Sequence, residues 1–138
     1  QTKIRNGRIY IRNWDIWDNW MEWREVYAEK ISTITYEDSR TSLYLSGKCE
    51  HRLGEISSLI LSLPRSIDER YESYFTFISG EIPTSLTYSA TPIRWSGDDV
   101  DYDGVFIPEA NKIYEVAVKY LGDDGEGNPI ISARVGVV

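Results

Sequence analysis

The sequence predicts an all-β protein, an antiparallel β-sandwich of jelly-roll-like type with about eight to ten strands and an aromatic N-terminal hairpin segment. Three observations lead to this prediction. Short segments alternate between apolar and polar residues, which is the pattern of strands with one buried face. Turn-forming residues separate these segments at intervals of about 8 to 12 residues, as in sandwiches and barrels. No long stretch shows helical periodicity, and residues 18–30 are the only helical candidate.

The chain is predicted to open on a hairpin, because Asn6-Gly7 between TKIR and RIYIR is a strong signal for a two-residue type I′ turn. The remaining strand segments follow in order: ISTITY (31–36), TSLYL (41–45), CEHRL (49–53), SSLILSL (57–63), YESYFTFI (71–78), SLTYS (85–89), PIRW (92–95), GVFI (104–107), KIYEVAVKYL (112–121) and PIISARVGVV (129–138).

Alternation within these segments also predicts which side chains are buried. One side of the SSLILSL strand carries Leu59, Leu61 and Leu63. One side of the KIYEVAVKYL strand carries Tyr114, Val116, Val118 and Tyr120, opposite Glu115, Ala117 and Lys119 on its wet side. We expect those sides to form the core. The predicted organisation is an N-terminal hairpin and Trp-rich connecting segment over residues 1–38, followed by a β-sandwich module over residues 39–138.

Length and composition set the class of protein. A chain of 138 residues can bury one sizeable core, 41% of its residues are hydrophobic, and no apolar run approaches the ~18 residues of a membrane span. We therefore expect no membrane span. Because the sequence opens on Gln1, we also expect it to be a fragment or processed product of a longer chain.

The net charge of −7 lies in one segment. Residues 98–126 carry nine acidic and two basic side chains, while the rest of the chain carries 13 of each sign. Binding to nucleic acid requires clustered Lys and Arg. An acidic segment without a basic counterpart therefore predicts that nucleic acid is not a partner.

The single cysteine, Cys49, excludes an internal disulfide framework. Cys49 and His51 lie two apart, so both face the same side of the predicted strand. A thiol nucleophile also needs a third orienting group and an oxyanion site, and nothing Gly-rich lies beside this pair. We expect no catalytic residues here, and we expect the protein not to be an enzyme.

Four of the five tryptophans, Trp14, Trp17, Trp20 and Trp23, follow a strict three-residue spacing. Neither a helix nor a strand places all four on one face. One interpretation is that they anchor a short twisted segment against the sheet. The other is that two or three of them form an exposed platform for a sugar ring, so all four are candidate ligand-binding residues.

A weak metal candidate lies in DVDYDG, where Asp99, Asp101 and Asp103 alternate before Gly104. This is the first half of a calcium loop, but position 12, where a bidentate Glu belongs, is Ala110. The two interpretations are a generic β-loop calcium site and a solvated acidic loop. No other cofactor is expected.

Two stretches resemble proteins of tailed phages. NGRIYIRNWDIWDNWMEWREV resembles the end of knob modules in phage tail fibres and pyocins, with Arg12, Trp20, Trp23 and Val26 at the matching positions; Trp14 and Trp17 exceed the pattern.

The second resemblance covers about 85 residues and keeps the order of its pieces. It is to C-terminal β modules of tailed-phage and prophage fibre, baseplate or appendage proteins. Its pieces are EISSLILSLP (55–64), YFTFISG (74–80), PTSLTY (83–88), IRWSGDD (93–99) and FIPEANKIYEVAVKYLG (106–122), followed by a last strand.

These resemblances imply a location on the virion, outside the host cell, and frequent assembly into trimers. The expected function is that of a non-enzymatic structural or adhesion module, with other virion subunits and a host surface glycan or protein as partners. Multivalency would strengthen weak individual contacts. The alternatives are a head-decoration, head-fibre or assembly protein that binds only viral subunits, a carbohydrate-binding module of a secreted bacterial enzyme, and a glycan hydrolase.

Overall fold

The computed structural model of the protein describes residues 2–5, 8–12, 24–26, 31–38, 40–88 and 93–138. Over these residues the chain is all-β, with twelve strands and no helix. The strands are β1 (Thr2–Arg5), β2 (Arg8–Ile11), β3 (Arg24–Val26), β4 (Ser32–Thr35), β5 (Ser42–Tyr44), β6 (Cys49–Glu55), β7 (Ser58–Ser62), β8 (Glu72–Ser79), β9 (Ser85–Tyr88), β10 (Ile93–Gly97), β11 (Lys112–Asp123) and β12 (Pro129–Val137).

The chain divides into two compact units, residues 1–30 and 31–138. The first contains a three-stranded antiparallel sheet in the order β1-β2-β3. Its register pairs Arg5 with Arg8, as a two-residue hairpin requires. The helical interpretation of residues 18–30 is wrong for Arg24–Val26, which form a strand paired with β2; the rest of that stretch lies outside the described residues.

The second unit contains a six-stranded sheet in the order β10-β12-β11-β8-β6-β4 and a three-stranded sheet in the order β5-β7-β9. Strand β4, which lies before the predicted boundary at residue 39, pairs with β6 in this unit. The predicted strand GVFI is reduced to an isolated bridge between Phe106 and Val100.

The prediction of purely antiparallel pairing is wrong. Strands β4, β6 and β8 are parallel neighbours, and so are β5, β7 and β9. From β4 to β9 consecutive strands alternate between the two sheets. The chain therefore enters each sheet repeatedly from the same end, and neighbouring strands run in the same direction. Among the described residues of this unit, antiparallel pairing is confined to β8-β11-β12 and the isolated bridge.

Both sheets contribute to one core. Leu43, Leu59 and Leu61 of the three-stranded sheet belong to the same buried cluster as Phe77 and Tyr114 of the six-stranded sheet. The predicted inward faces are confirmed, since Leu59, Leu61 and Tyr114 are at most 1% exposed. Among the described residues, no helix is long and apolar enough to span a bilayer.

Candidate functional site

The aromatic candidates Trp14, Trp17, Trp20 and Trp23 lie outside the described residues. Their interpretation as a sugar platform, or as anchors for a twisted segment, stays a prediction.

The acidic loop between β10 and β11 is built around Asp101. Its Oδ1 accepts hydrogen bonds from the backbone N–H groups of Asp103 and Val105, both at 2.9 Å. The backbone of Asp101 also donates to Val105 and accepts from Gly104. This carboxylate therefore has a local role, because it closes the turn as an Asx residue does.

Asp99 serves a different part of the fold. Its Oδ2 accepts a hydrogen bond from the hydroxyl of Tyr114 at 2.6 Å and pairs with Nζ of Lys112 at 3.0 Å. These two bonds hold the pKa of Asp99 below its ordinary value, and the hydrogen bond from Tyr114 has the larger effect. The contacts fasten the loop to the start of β11.

Two of the three predicted calcium ligands are thus engaged within the protein, and the side chain of Asp103 is exposed. In the described part of the chain, no group of three or more His, Cys, Asp or Glu side chains is placed to hold a metal. Calcium binding at this loop stays a prediction.

Cys49 and His51 face the same side of β6, as predicted, and are 4% and 1% exposed. The ring nitrogens of His51 lie 3.0 Å from the Tyr36 hydroxyl and 3.4 Å from the Ser46 hydroxyl, and Sγ of Cys49 is 3.9 Å from Nδ1. Burial, and the nearby positive charge of Arg40, lower the pKa of His51. The cluster links Tyr36, which follows β4, and Ser46 of the β5–β6 turn to His51 on β6.

A groove of about 540 Å³ lies on the outer face of the six-stranded sheet. It crosses β6, β8, β11 and β12, and its outward-facing side chains occur in two rows set by the strand register. One row runs Glu50, Tyr74, Ala117, Arg134, and the other includes Thr76, Glu115 and Gly136.

Side-chain size explains the depression. Ala117 lies between the larger Tyr74 and Arg134, and Gly136 has no side chain beside Glu115. The hydroxyl of Tyr74 donates to Glu72 Oε2 at 3.2 Å, and Glu72 also pairs with Lys48 at 3.4 Å. Because Glu72 precedes Tyr74 by two residues on the same face, this bond makes the ring lean along the strand.

The polar groups of the groove differ in how they are engaged. Glu50 pairs with Arg52 at 3.0 Å. Within the part of the chain that the structure describes, the side chains of Glu115 and Arg134 make no hydrogen bond or ion pair. A carboxylate that only accepts and a guanidinium that only donates therefore face the same open groove.

Sequence reasoning missed this groove. Alternation correctly assigned Glu115 and Ala117 to the wet face of β11, but which residues lie beside them depends on strand pairing. The small residues Ala117 and Gly136 are the local signal for the groove, and this signal can be interpreted only once β8, β11 and β12 are aligned.

Comparison with known proteins adds no relative to this description. No family model, no curated protein and no solved structure matches the chain.

Proposed function

We propose that the protein is a non-enzymatic structural and adhesion module of a phage particle or prophage-derived appendage, and that it contacts a glycan of the host surface. The observation that carries the adhesion proposal is the groove on the six-stranded sheet, and the virion location rests on the sequence resemblance. We further propose that the two sheets of the second unit face each other as a sandwich around their common core.

The lining of the groove suits a sugar chain. Sugar rings combine apolar C–H faces with many hydroxyl groups, each of which donates and accepts hydrogen bonds. Tyr74 supplies an aromatic surface beside Ala117, Glu115 accepts hydrogen bonds, and Arg134 donates them. The groove is open along the sheet, so a chain of several sugar units can cross it.

Binding of the intact protein to an array of host surface glycans tests this proposal. We expect the Tyr74→Ala variant to bind about tenfold more weakly, because an aromatic contact contributes roughly 1.4 kcal/mol. Tyr102→Ala is the matched control, since Tyr102 is a fully exposed tyrosine outside the groove.

The same array separates this site from the tryptophans. If Trp20→Ala abolishes binding while Tyr74→Ala does not, the groove is not the site. Failure of the wild type to bind any glycan or host surface preparation refutes adhesion and favours a pure assembly role. Release of reducing ends from a bound glycan would refute the non-enzymatic part of the proposal.

A further inference from the structure

Three basic side chains surround Ser132 on the outer face of the six-stranded sheet. The register places Arg94 of β10 directly beside Ser132 on one side and Lys119 of β11 directly beside it on the other. Arg134 follows Ser132 by two residues on β12 and therefore points to the same side of the sheet. All three basic side chains are exposed, and together with Ser132 we call them the basic cluster.

The three basic side chains of the cluster are not neutralised by the protein. In the part of the chain that the structure describes, they make no hydrogen bond or ion pair. Five other basic side chains of the second unit each pair with a carboxylate: Arg40, Lys48, Arg52, Arg70 and Lys112. Like charges close together on a sheet repel one another. An unpaired basic cluster on a chain with a net charge of −7 therefore favours a role in binding an external anion over a role in stability.

The two acidic side chains next to the cluster in the register are occupied or distant. Glu72 lies opposite Lys119 on β8. Its carboxylate pairs with Nζ of Lys48 at 3.4 Å and accepts a hydrogen bond from Tyr74 at 3.2 Å. Glu115 precedes Lys119 by four residues on the same face of β11, which is about 13 Å along the strand. The charge of this face therefore changes sign along β11.

We propose that the basic cluster binds an anionic substituent, a carboxylate or a phosphate, of the glycan whose neutral part occupies the groove. This inference rests on the proposed function, because Arg134 belongs both to the cluster and to the lining of the groove. A guanidinium holds a carboxylate or a phosphate through two parallel hydrogen bonds, and the Ser132 hydroxyl can donate a further one. Lys119 lies two residues, about 6.6 Å, from Ala117 in the groove, so one chain of sugars can reach both places.

The distribution of charge also limits how many anionic groups the glycan carries. A densely charged polymer would bring further anions next to Glu50 and Glu115 of the groove, and the net charge of −7 would repel it. The geometry therefore fits a glycan with one anionic group beside otherwise neutral sugars. Its hydroxyl groups can donate to Glu115 while its anionic group contacts the basic cluster.

An array that presents each oligosaccharide in a neutral, a carboxylate-bearing and a phosphate-bearing form tests the proposal on the full chain. We expect the wild type to bind an anionic form more tightly than the neutral form, and the preferred form identifies the anion. Added salt should weaken this preference. We expect Arg94→Gln and Lys119→Gln each to lower the ratio of anionic to neutral affinity about threefold, as the loss of an exposed ion pair does.

Arg65→Gln is the matched control, because it removes one positive charge from the connection between β7 and β8, outside both sheets. We expect it to keep the wild-type ratio of affinities. Far-UV circular dichroism verifies that each variant is folded.

The outcomes separate this inference from the glycan proposal. Equal affinity of the wild type for neutral and anionic forms overturns the inference while glycan binding stands. So does a preference that folded Arg94→Gln and Lys119→Gln leave intact, or one that Arg65→Gln lowers equally. Tighter binding of a densely charged anionic polymer than of the singly charged forms also contradicts it. If no form binds, the glycan proposal fails and this inference fails with it.

Discussion

The hydroxyl of Tyr114 serves two partners at once. It donates to Oδ2 of Asp99 and accepts a hydrogen bond from the backbone N–H of Glu109 at 2.8 Å, while the side chain itself is fully buried. Removing it leaves the N–H group of Glu109 without this acceptor, and it leaves the Asp99 carboxylate with Lys112 alone of its two side-chain partners. We expect Tyr114→Phe to lower the free energy of unfolding by about 2 kcal/mol.

The control for Tyr114→Phe lies on the same strand. Tyr120 also donates to a carboxylate, that of Asp123 at 2.8 Å, but this bond is exposed. Tyr120→Phe should therefore change stability by less than about 0.5 kcal/mol. Equilibrium denaturation of both variants measures the difference, and equal losses would show that the buried bond has no special importance.

His51 is the only histidine of the chain, so a titration near neutral pH can be assigned to it. Burial lowers its pKa below 6.5, and the unfolded chain then takes up the proton more readily than the folded one. The contribution of neutral His51 to the free energy of unfolding is therefore complete above pH 6.5. It is lost as the pH falls toward the pKa of His51 in the folded state.

We expect the melting temperature of the wild type to fall more steeply between about pH 7 and about pH 5 than that of His51→Gln, which keeps a polar side chain but does not titrate in this range. Thermal melts of both proteins across this range provide the measurement. Parallel profiles would mean that protonation of His51 does not limit stability.

The pairing of β10 with β12 depends on a close approach at Gly97. This residue has a φ of 103°, and a Cβ atom there would overlap the carbonyl oxygen of Val135. We expect Gly97→Ala to cost about 3 kcal/mol, because the backbone must leave a conformation that only glycine adopts easily.

Gly54→Ala is the matched control for Gly97→Ala, since no atom lies within 4 Å of a Cβ built at Gly54. It should be neutral or slightly stabilising, because alanine reduces the freedom of the unfolded chain. Denaturant midpoints distinguish the two variants. A small loss for Gly97→Ala would show that β10 can move away from β12 at little cost.

The loop between β10 and β11 is the element that tests calcium binding. Its Asp99 and Asp101 carboxylates already accept hydrogen bonds within the protein, so a calcium ion would have to compete with these contacts. We expect the melting temperature to be the same in calcium and in chelator, and calorimetry to register no binding heat. A clear stabilisation by calcium would restore the metal-site interpretation of this loop.

Most of the strands could be predicted because alternation is a local property. The alternation within segments such as SSLILSL and KIYEVAVKYL is enough to predict which of their side chains face the core. The structure confirms the buried side of both segments. The segment around Arg24–Val26 was missed, because three residues are too few to show a period. The segment GVFI shows the opposite error. It is predicted as a strand, but Phe106 forms an isolated bridge with Val100, because apolar composition alone does not give a segment a strand to pair with.

Strand pairing is a property of the whole molecule, and it explains what could not be predicted. Hydrophobic alternation reads the same in parallel and antiparallel sheets, so it cannot reveal that β6 lies beside β8 rather than beside β7. The groove depends on the pairing of β6, β8, β11 and β12. Its residues come from these separate strands, and no segment of the sequence displays them together.

The common core predicts that the two sheets of the second unit unfold together. Leu59 in the three-stranded sheet and Ile131 in the six-stranded sheet are both completely buried in one cluster. We expect Leu59→Ala and Ile131→Ala each to cost about 3 kcal/mol and to shift one shared transition without splitting it. Far-UV circular dichroism in denaturant would contradict this if either variant produced a separate transition for one sheet.

The alternation of β4 to β9 between two sheets has a consequence for how the chain acquires its structure. Each parallel neighbour is separated from its partner by an intervening strand, so these contacts carry a high contact order and form slowly. Among the described strands of residues 31–138, β11 and β12 are long, follow each other in the chain and pair through a short connection. Substitutions there, such as Val135→Ala, should slow folding, whereas Leu43→Ala in β5 should mainly speed unfolding. During synthesis, strands β4 to β10 are made before the β11-β12 hairpin, so we expect them to complete their folding only after β11 and β12 have been made.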